Sequence, residues 1–143
     1  MINFESQDIN FDLKNKRQTK HWLKTIAIGE SFKMGDLNYI FITDEALYKI
    51  NLEYLKHDTY TDIITFDNSE DEGIIEGDIF ISIDRVRENA KSFKTNFENE
   101  LRRVLAHGLL HLCEYKDKSN EDVKLMRKME DYALKVWYLD YVS

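Results

Sequence analysis

Proline is absent from this 143-residue chain, cysteine occurs once and glycine only five times. Without proline, one common signal of linkers and domain boundaries is missing, and no repeat or low-complexity stretch takes its place. A solitary Cys113 cannot close an intramolecular disulfide, which excludes a disulfide-framed secreted scaffold and fits a reducing compartment. Long apolar runs are also lacking. Segments such as Ile79-Phe80-Ile81 are far too short to cross a bilayer, and the opening MINFESQDIN has neither a basic start nor an apolar block. A cytoplasmic location away from membranes is therefore expected. Nor is positive charge in excess. A net charge of -7 argues against general nucleic-acid binding and against DNA as a partner, and leaves room only for a local basic patch.

What is present suits one folded unit. Hydrophobic residues make up 43% of the chain, aromatics 13% and charged residues 33%, enough to build a core and a solvated surface in a single domain spanning 1–143. Periodicity predicts a short strand over Ile2 to Glu5 and an amphipathic helix over Phe11 to Ile28, with Leu13, Trp22, Leu23 and Ile26 inward and Gly29 closing it. A strand over Leu37 to Thr43 follows, then a helix capped by Asp44 and carrying Leu47, Ile50, Leu52 and Tyr54. After a loop at Lys56 to Tyr60, strands are expected at Thr61 to Phe66 and Gly77 to Ile83, divided by the acidic loop Asn68 to Gly73. From Asp84 the chain reads as helical, with breaks near Ser92 to Thr95 and Tyr115 to Ser119, where Ser119 and Asp122 resemble a capping box. The expected class is α+β: a small mixed sheet of about four strands packed by helices, with the histidine pair described next on a central helix.

Chemistry concentrates between His107 and Asp117. Side chains four apart on a helix share a face at about 5–6 Å, so His107 and His111 can reach one ion together. A third ligand with tetrahedral geometry requires the chain to leave the helix and fold back, which the step from His111 to Asp117 allows. Two histidines, a carboxylate and water form a catalytic zinc arrangement. The plainer reading makes the two histidines polar residues that are partly exposed or satisfied in the core. Against it, Leu105, Leu109, Leu110 and Leu112 make the segment apolar, and imidazoles buried there need partners.

These residues carry a resemblance. His107, Gly108, Leu110, His111, Leu112 and Tyr115 match in register the signature H-G-x-L-H-L-x-G-Y-D-H of the YbeY family of bacterial metal-dependent endoribonucleases. Upstream, Asn51, Tyr54, Asp58, Thr61, Asp62 and Phe66 resemble the family's N-x-x-Y-R-x-K-D-x-P-T-D-V-L-S-F stretch, and Gly77-Asp78-Ile79 its G-D-I strand. The resemblance implies a single-strand-specific, metal-dependent endoribonuclease of ribosomal RNA maturation, processing the 3′ end of 16S rRNA and acting in ribosome quality control. It further implies one Zn²⁺ or another divalent metal per chain on His107, His111 and Asp117, and ribosomal RNA and the small ribosomal subunit as partners; it leaves the oligomeric state open.

Three positions depart from the signature. Asp117 stands where the family has a third histidine, a harder ligand that lowers the site's charge by one. Leu55 replaces an arginine, whose role cannot transfer, although Lys56 and His57 stand beside it as RNA-contact candidates or plain solvated charge. Glu114 replaces a glycine. Further phosphate-binding candidates are Arg102 and Arg103 ahead of the metal helix and Lys14, Lys16, Arg17, Lys20 and Lys24 on the first helix. Asp62, Asp78 and Thr61 read either as turn and cap residues or as direct participants. Cys113, pointing to another helix face than His111, reads as a buried apolar thiol.

Two other classes stay open. A hydrolase of peptide or amide bonds would normally carry glutamate directly after the first histidine, where this chain has Gly108. A non-catalytic ribosome-assembly factor would use the metal only to pin the helix to its loop, with a closed fourth coordination position. The two-histidine, one-carboxylate set also occurs in iron oxygenases, against which the helical spacing argues.

Overall fold

A computed structural model describes residues 1–142. The elements run β1 (Ile2–Ser6), α1 (Lys16–Gly29), β2 (Lys33–Ile42), α2 (Asp44–Leu55), β3 (Ile63–Asp67), β4 (Ile74–Ser82), α3 (Ile83–Ser92), α4 (Phe97–Leu112) and α5 (Asn120–Tyr141). The four strands form one mixed sheet in the order β1-β2-β4-β3: β1, β2 and β4 are parallel, and β3 returns antiparallel to β4 as the second edge.

Strand alternation sorts the apolar residues onto two faces. Leu37, Tyr39 and Phe41 of β2 and Ile75, Ile79 and Ile81 of β4 join the larger core with α1, α3, α4 and α5. Ile40, Ile42 and Ile64 face the other way, onto Leu47 of α2. The sheet is thus covered on both sides, as parallel strands require. Trp22 of α1 donates its indole N–H to the Ala133 carbonyl of α5 at 2.8 Å and stacks edge-on with Trp137, tying the first helix to the last.

The α+β class, the four strands and the helix breaks agree with the sequence reading, and the capping box of Ser119 with Asp122 is present. Several boundaries differ. Phe11 to Asn15 is not helical: Phe11 packs edge-on against Phe41 and Phe97, Leu13 is buried, and Asn15 takes a left-handed φ of 58° just before the helix starts. Core burial of two apolar side chains outweighs the helical pattern there. Asp44 does not cap α2; the Thr43 hydroxyl accepts the Ala46 N–H instead, and Asp44 receives Ser82 and Arg85. Of the apolar residues this helix carries, Leu47 is buried while Leu52 and Tyr54 are exposed, and Asn51 is buried on the same helix.

Candidate metal centre

Close packing of α4 on the sheet places the first histidine. A methyl group added at Gly108 would lie 2.8 Å from Ile79 Cδ1 and 3.0 Å from Ile63 Cδ1, so α4 lies directly on the sheet at this point. His107 is thereby held where α4, α5 and the start of β3 converge. The same closeness disfavours any side chain at 108, where the protease-type general base would stand, because it would have to push the Ile79 and Ile63 side chains aside.

The helix then ends in a Schellman motif. The Glu114 N–H bonds the His111 carbonyl at 3.0 Å and the Tyr115 N–H bonds the Leu110 carbonyl at 3.1 Å, with Glu114 in the left-handed region at φ 75°. This is the position where glycine is normally favoured, and it supplies the physical reason for the glycine that Glu114 replaces. The reversed chain is anchored by the Tyr115 hydroxyl, which donates to Glu30 at 2.6 Å. That turn brings Asp117 back toward α4, and the Asp117 Oδ2 lies 3.5 Å from His107 Nε2. The other nitrogen, Nδ1, is 2.8 Å from Glu130 Oε2 of α5.

His107 and Asp117 open into a cleft of about 280 Å³ whose polar lining includes Asp62, Asn89, Glu100, Arg103, Arg127 and Glu130. Four carboxylates face two arginines and His107 in this lining, so acidic groups outnumber the permanent cations. Burial pushes the Asp62 and Glu100 carboxyls above the usual carboxylate range. At Glu130 burial acts in the same direction, yet its bonds to His107 and Arg103 prevail and lower it. Burial opposes a charged His107, but Glu130, Asp117 and Asp62 together outweigh it and raise the imidazole.

The sequence-predicted residues are brought together in part. His107 and Asp117 meet at the cleft; His111, one helical turn on, is exposed and lies outside the cleft lining. Among the described residues no group of three or more His, Cys, Asp or Glu side chains is gathered closely enough to hold a metal. The 3.5 Å between Nε2 and Oδ2 is nonetheless close to the separation of about 3.3 Å that two ligands have on a tetrahedral zinc with bonds of about 2.0–2.1 Å, so these two side chains fit such an ion.

Of the RNA-contact candidates, Arg103 lines the cleft, but its guanidinium is bound to Glu130 at 3.0 Å and Asp131 at 2.7 Å. Arg102 lies 4.2 Å over the Trp137 ring, away from the cleft. Lys56 and His57 are exposed on the loop that leads to Asp62. That loop is shaped by Asn51, whose amide donates to the Thr59 carbonyl at 2.9 Å, and by Tyr48, which donates to Asp58. Asp62 lies in the cleft wall beside Asn89, whereas Asp78 is tied to Asn38 and Asn68 on β4, and the Thr61 hydroxyl bonds within its own turn. Cys113 is a buried thiol pushed up to about 12 by burial.

Glu130 and Arg127 went unremarked in the sequence. Glu130 had a legible signal: Met126, Glu130, Ala133 and Trp137 are the buried stripe of α5, and a lone acid on an apolar stripe needs a partner.

Comparison with known proteins places this geometry. The sequence profile described as Endoribonuclease YbeY matches residues 1–138. The Endoribonuclease YbeY of Flavobacterium johnsoniae is 49% identical over 140 residues, covering 98% of this chain and 99% of that protein. The Endoribonuclease YbeY of Cytophaga hutchinsonii is 52% identical over 133 residues, 93% of each chain. The solution structure of TM1509 from Thermotoga maritima superposes with a TM-score of 0.65 at 26% identity, covering 99% of this chain and 94% of that one. A helix-borne histidine pair, a chain reversal returning Asp117 to it and full-length similarity lead to one conclusion: the chain belongs to the Endoribonuclease YbeY family.

Proposed function

We propose that the chain, as one domain in the cytoplasm, is a metal-dependent endoribonuclease of ribosomal RNA maturation, including the 3′ end of 16S rRNA on the small ribosomal subunit. One divalent ion, zinc, is held by His107, His111 and Asp117. The observation that carries this reading is the placement of the His107 ring between two acceptors, Glu130 at Nδ1 and Asp117 at Nε2. A neutral imidazole has a single N–H and satisfies only one of them, so the second contact requires a cation on that side, a proton or a metal.

Bound there, a divalent ion supplies Lewis acidity toward a phosphoryl oxygen and makes water more acidic. The remaining work falls to the chain. His111 turns from solvent toward the cleft to complete the ligand set, a move its place on the same helix face permits. Arg127, half-exposed at the cleft and 3.6 Å from Glu130, is the cation left to meet an RNA phosphate. Asp62, kept in its protonated form to higher pH by burial, is positioned to hold a proton within the cleft.

Purified protein is expected to contain close to one metal ion per chain by elemental analysis and to cleave ribosomal RNA, with His111→Ala losing both. Undiminished RNase activity in metal-free wild-type protein rejects the proposal.

A further inference from the structure

We propose that Glu130 is a positioning residue for the candidate metal centre: it holds the Nδ1–H of His107 and so turns the Nε2 lone pair into the cleft beside Asp117. The inference rests on the metal-centre reading above and deepens it.

A carboxylate can only accept hydrogen bonds, so the imidazole nitrogen 2.8 Å from Glu130 Oε2 must carry the hydrogen. The opposite nitrogen, facing Asp117 at 3.5 Å, is then the donor atom available to a cation. The carboxylate is itself immobilised. Its other oxygen accepts from Arg103 Nη1 at 3.0 Å, and Arg103 Nη2 is braced by Asp131 at 2.7 Å. Only 5% of Glu130 is exposed, on a helix stripe otherwise made of Met126, Ala133 and Trp137. Burying a charge there costs stability that an apolar residue would not, and the retained charge is aimed at one histidine nitrogen.

The arrangement predicts what Glu130→Gln does. Arg103 still demands an oxygen, which leaves the nitrogen of the introduced amide toward His107. Nδ1 then becomes the acceptor and the hydrogen moves to Nε2, where it blocks the metal. Long-range ¹H–¹⁵N correlation spectra of metal-free protein, recorded as pH is raised until the His107 ring signals stop moving and the imidazole is neutral, are expected to place the His107 hydrogen on Nδ1 in wild type and on Nε2 in Glu130→Gln. Competition with a chromogenic chelator is expected to show zinc affinity falling roughly 10–100-fold. Wild-type His107 carrying its hydrogen on Nε2 overturns the inference without any variant, as does a folded Glu130→Gln that keeps the wild-type tautomer and zinc affinity. Wild-type protein that binds no zinc overturns the metal-centre reading instead, and the tautomer spectra then decide the role of Glu130 alone.

Discussion

At Glu114 the backbone holds a φ of 75° with a long, charged side chain in place of hydrogen. The left-handed region costs a non-glycine residue about 1–2 kcal/mol, offset in part by the lower chain entropy of the unfolded state. Glu114→Gly is therefore expected to stabilise the protein by about 0.5–1 kcal/mol, seen as a melting temperature higher by roughly 2 °C. Gly77 presents the opposite case. A Cβ there would stand 2.4 Å from the Phe66 carbonyl oxygen, a backbone atom of the paired strand β3 that cannot yield without disturbing the ladder. Gly77→Ala is expected to destabilise by about 2–3 kcal/mol in chemical denaturation. Both positions belong to the motifs that carry the family resemblance, and in both the backbone geometry favours glycine, which this chain keeps at 77 and not at 114.

Helix ends decide where Asp117 stands. It sits in the short connection between the Schellman end of α4 and the capped start of α5, where the Ser119 hydroxyl accepts the Asp122 N–H at 3.0 Å and Asp122 accepts the Ser119 N–H at 3.2 Å. Ser119→Ala is expected to cost about 1 kcal/mol of stability and, by loosening the connection, to weaken zinc binding measured by chelator competition. The Ser119 backbone N–H holds the Asp122 carboxyl below its ordinary value. A depressed carboxyl contributes stability above its unfolded pKa and loses it as pH falls through the folded one. The melting-temperature gap between wild type and Asp122→Ala should thus be constant near neutrality and shrink below about pH 4.

For the molecule as a whole, a ligand bound only by the folded state raises its stability by mass action. Free zinc at about 100 times its dissociation constant adds about 2.7 kcal/mol, which for a chain of this size is a rise of roughly 5–10 °C in melting temperature. Calorimetry of metal-free protein with and without zinc is expected to show that rise in wild type and to lose most of it in His111→Ala. A melting temperature indifferent to zinc in wild type speaks against the centre. The expected response is a property of the folded chain, because the reversal after α4 is what sets Asp117 3.5 Å from His107.

Local pattern along the chain was enough to specify the elements and most of the motif. The strand-forming residues of β2 and β4, the apolar pattern of α4 and the cap at Ser119 are local signals, expressed wherever a chain carries the right residue types in short runs or at a helix start. Everything that depends on distant partners had to wait for packing. Burial against two distant aromatics unwound Phe11 to Asn15, the fit of α2 on the sheet left Leu52 and Tyr54 exposed, and Arg103 was bound by acids far away in sequence. Packing of α5 on α4 also brought Glu130 from 23 residues away to the back of His107. Spacing along a helix can say that two imidazoles share a face. Which nitrogen carries the hydrogen depends on what packs behind the ring, and only the folded chain supplies that partner.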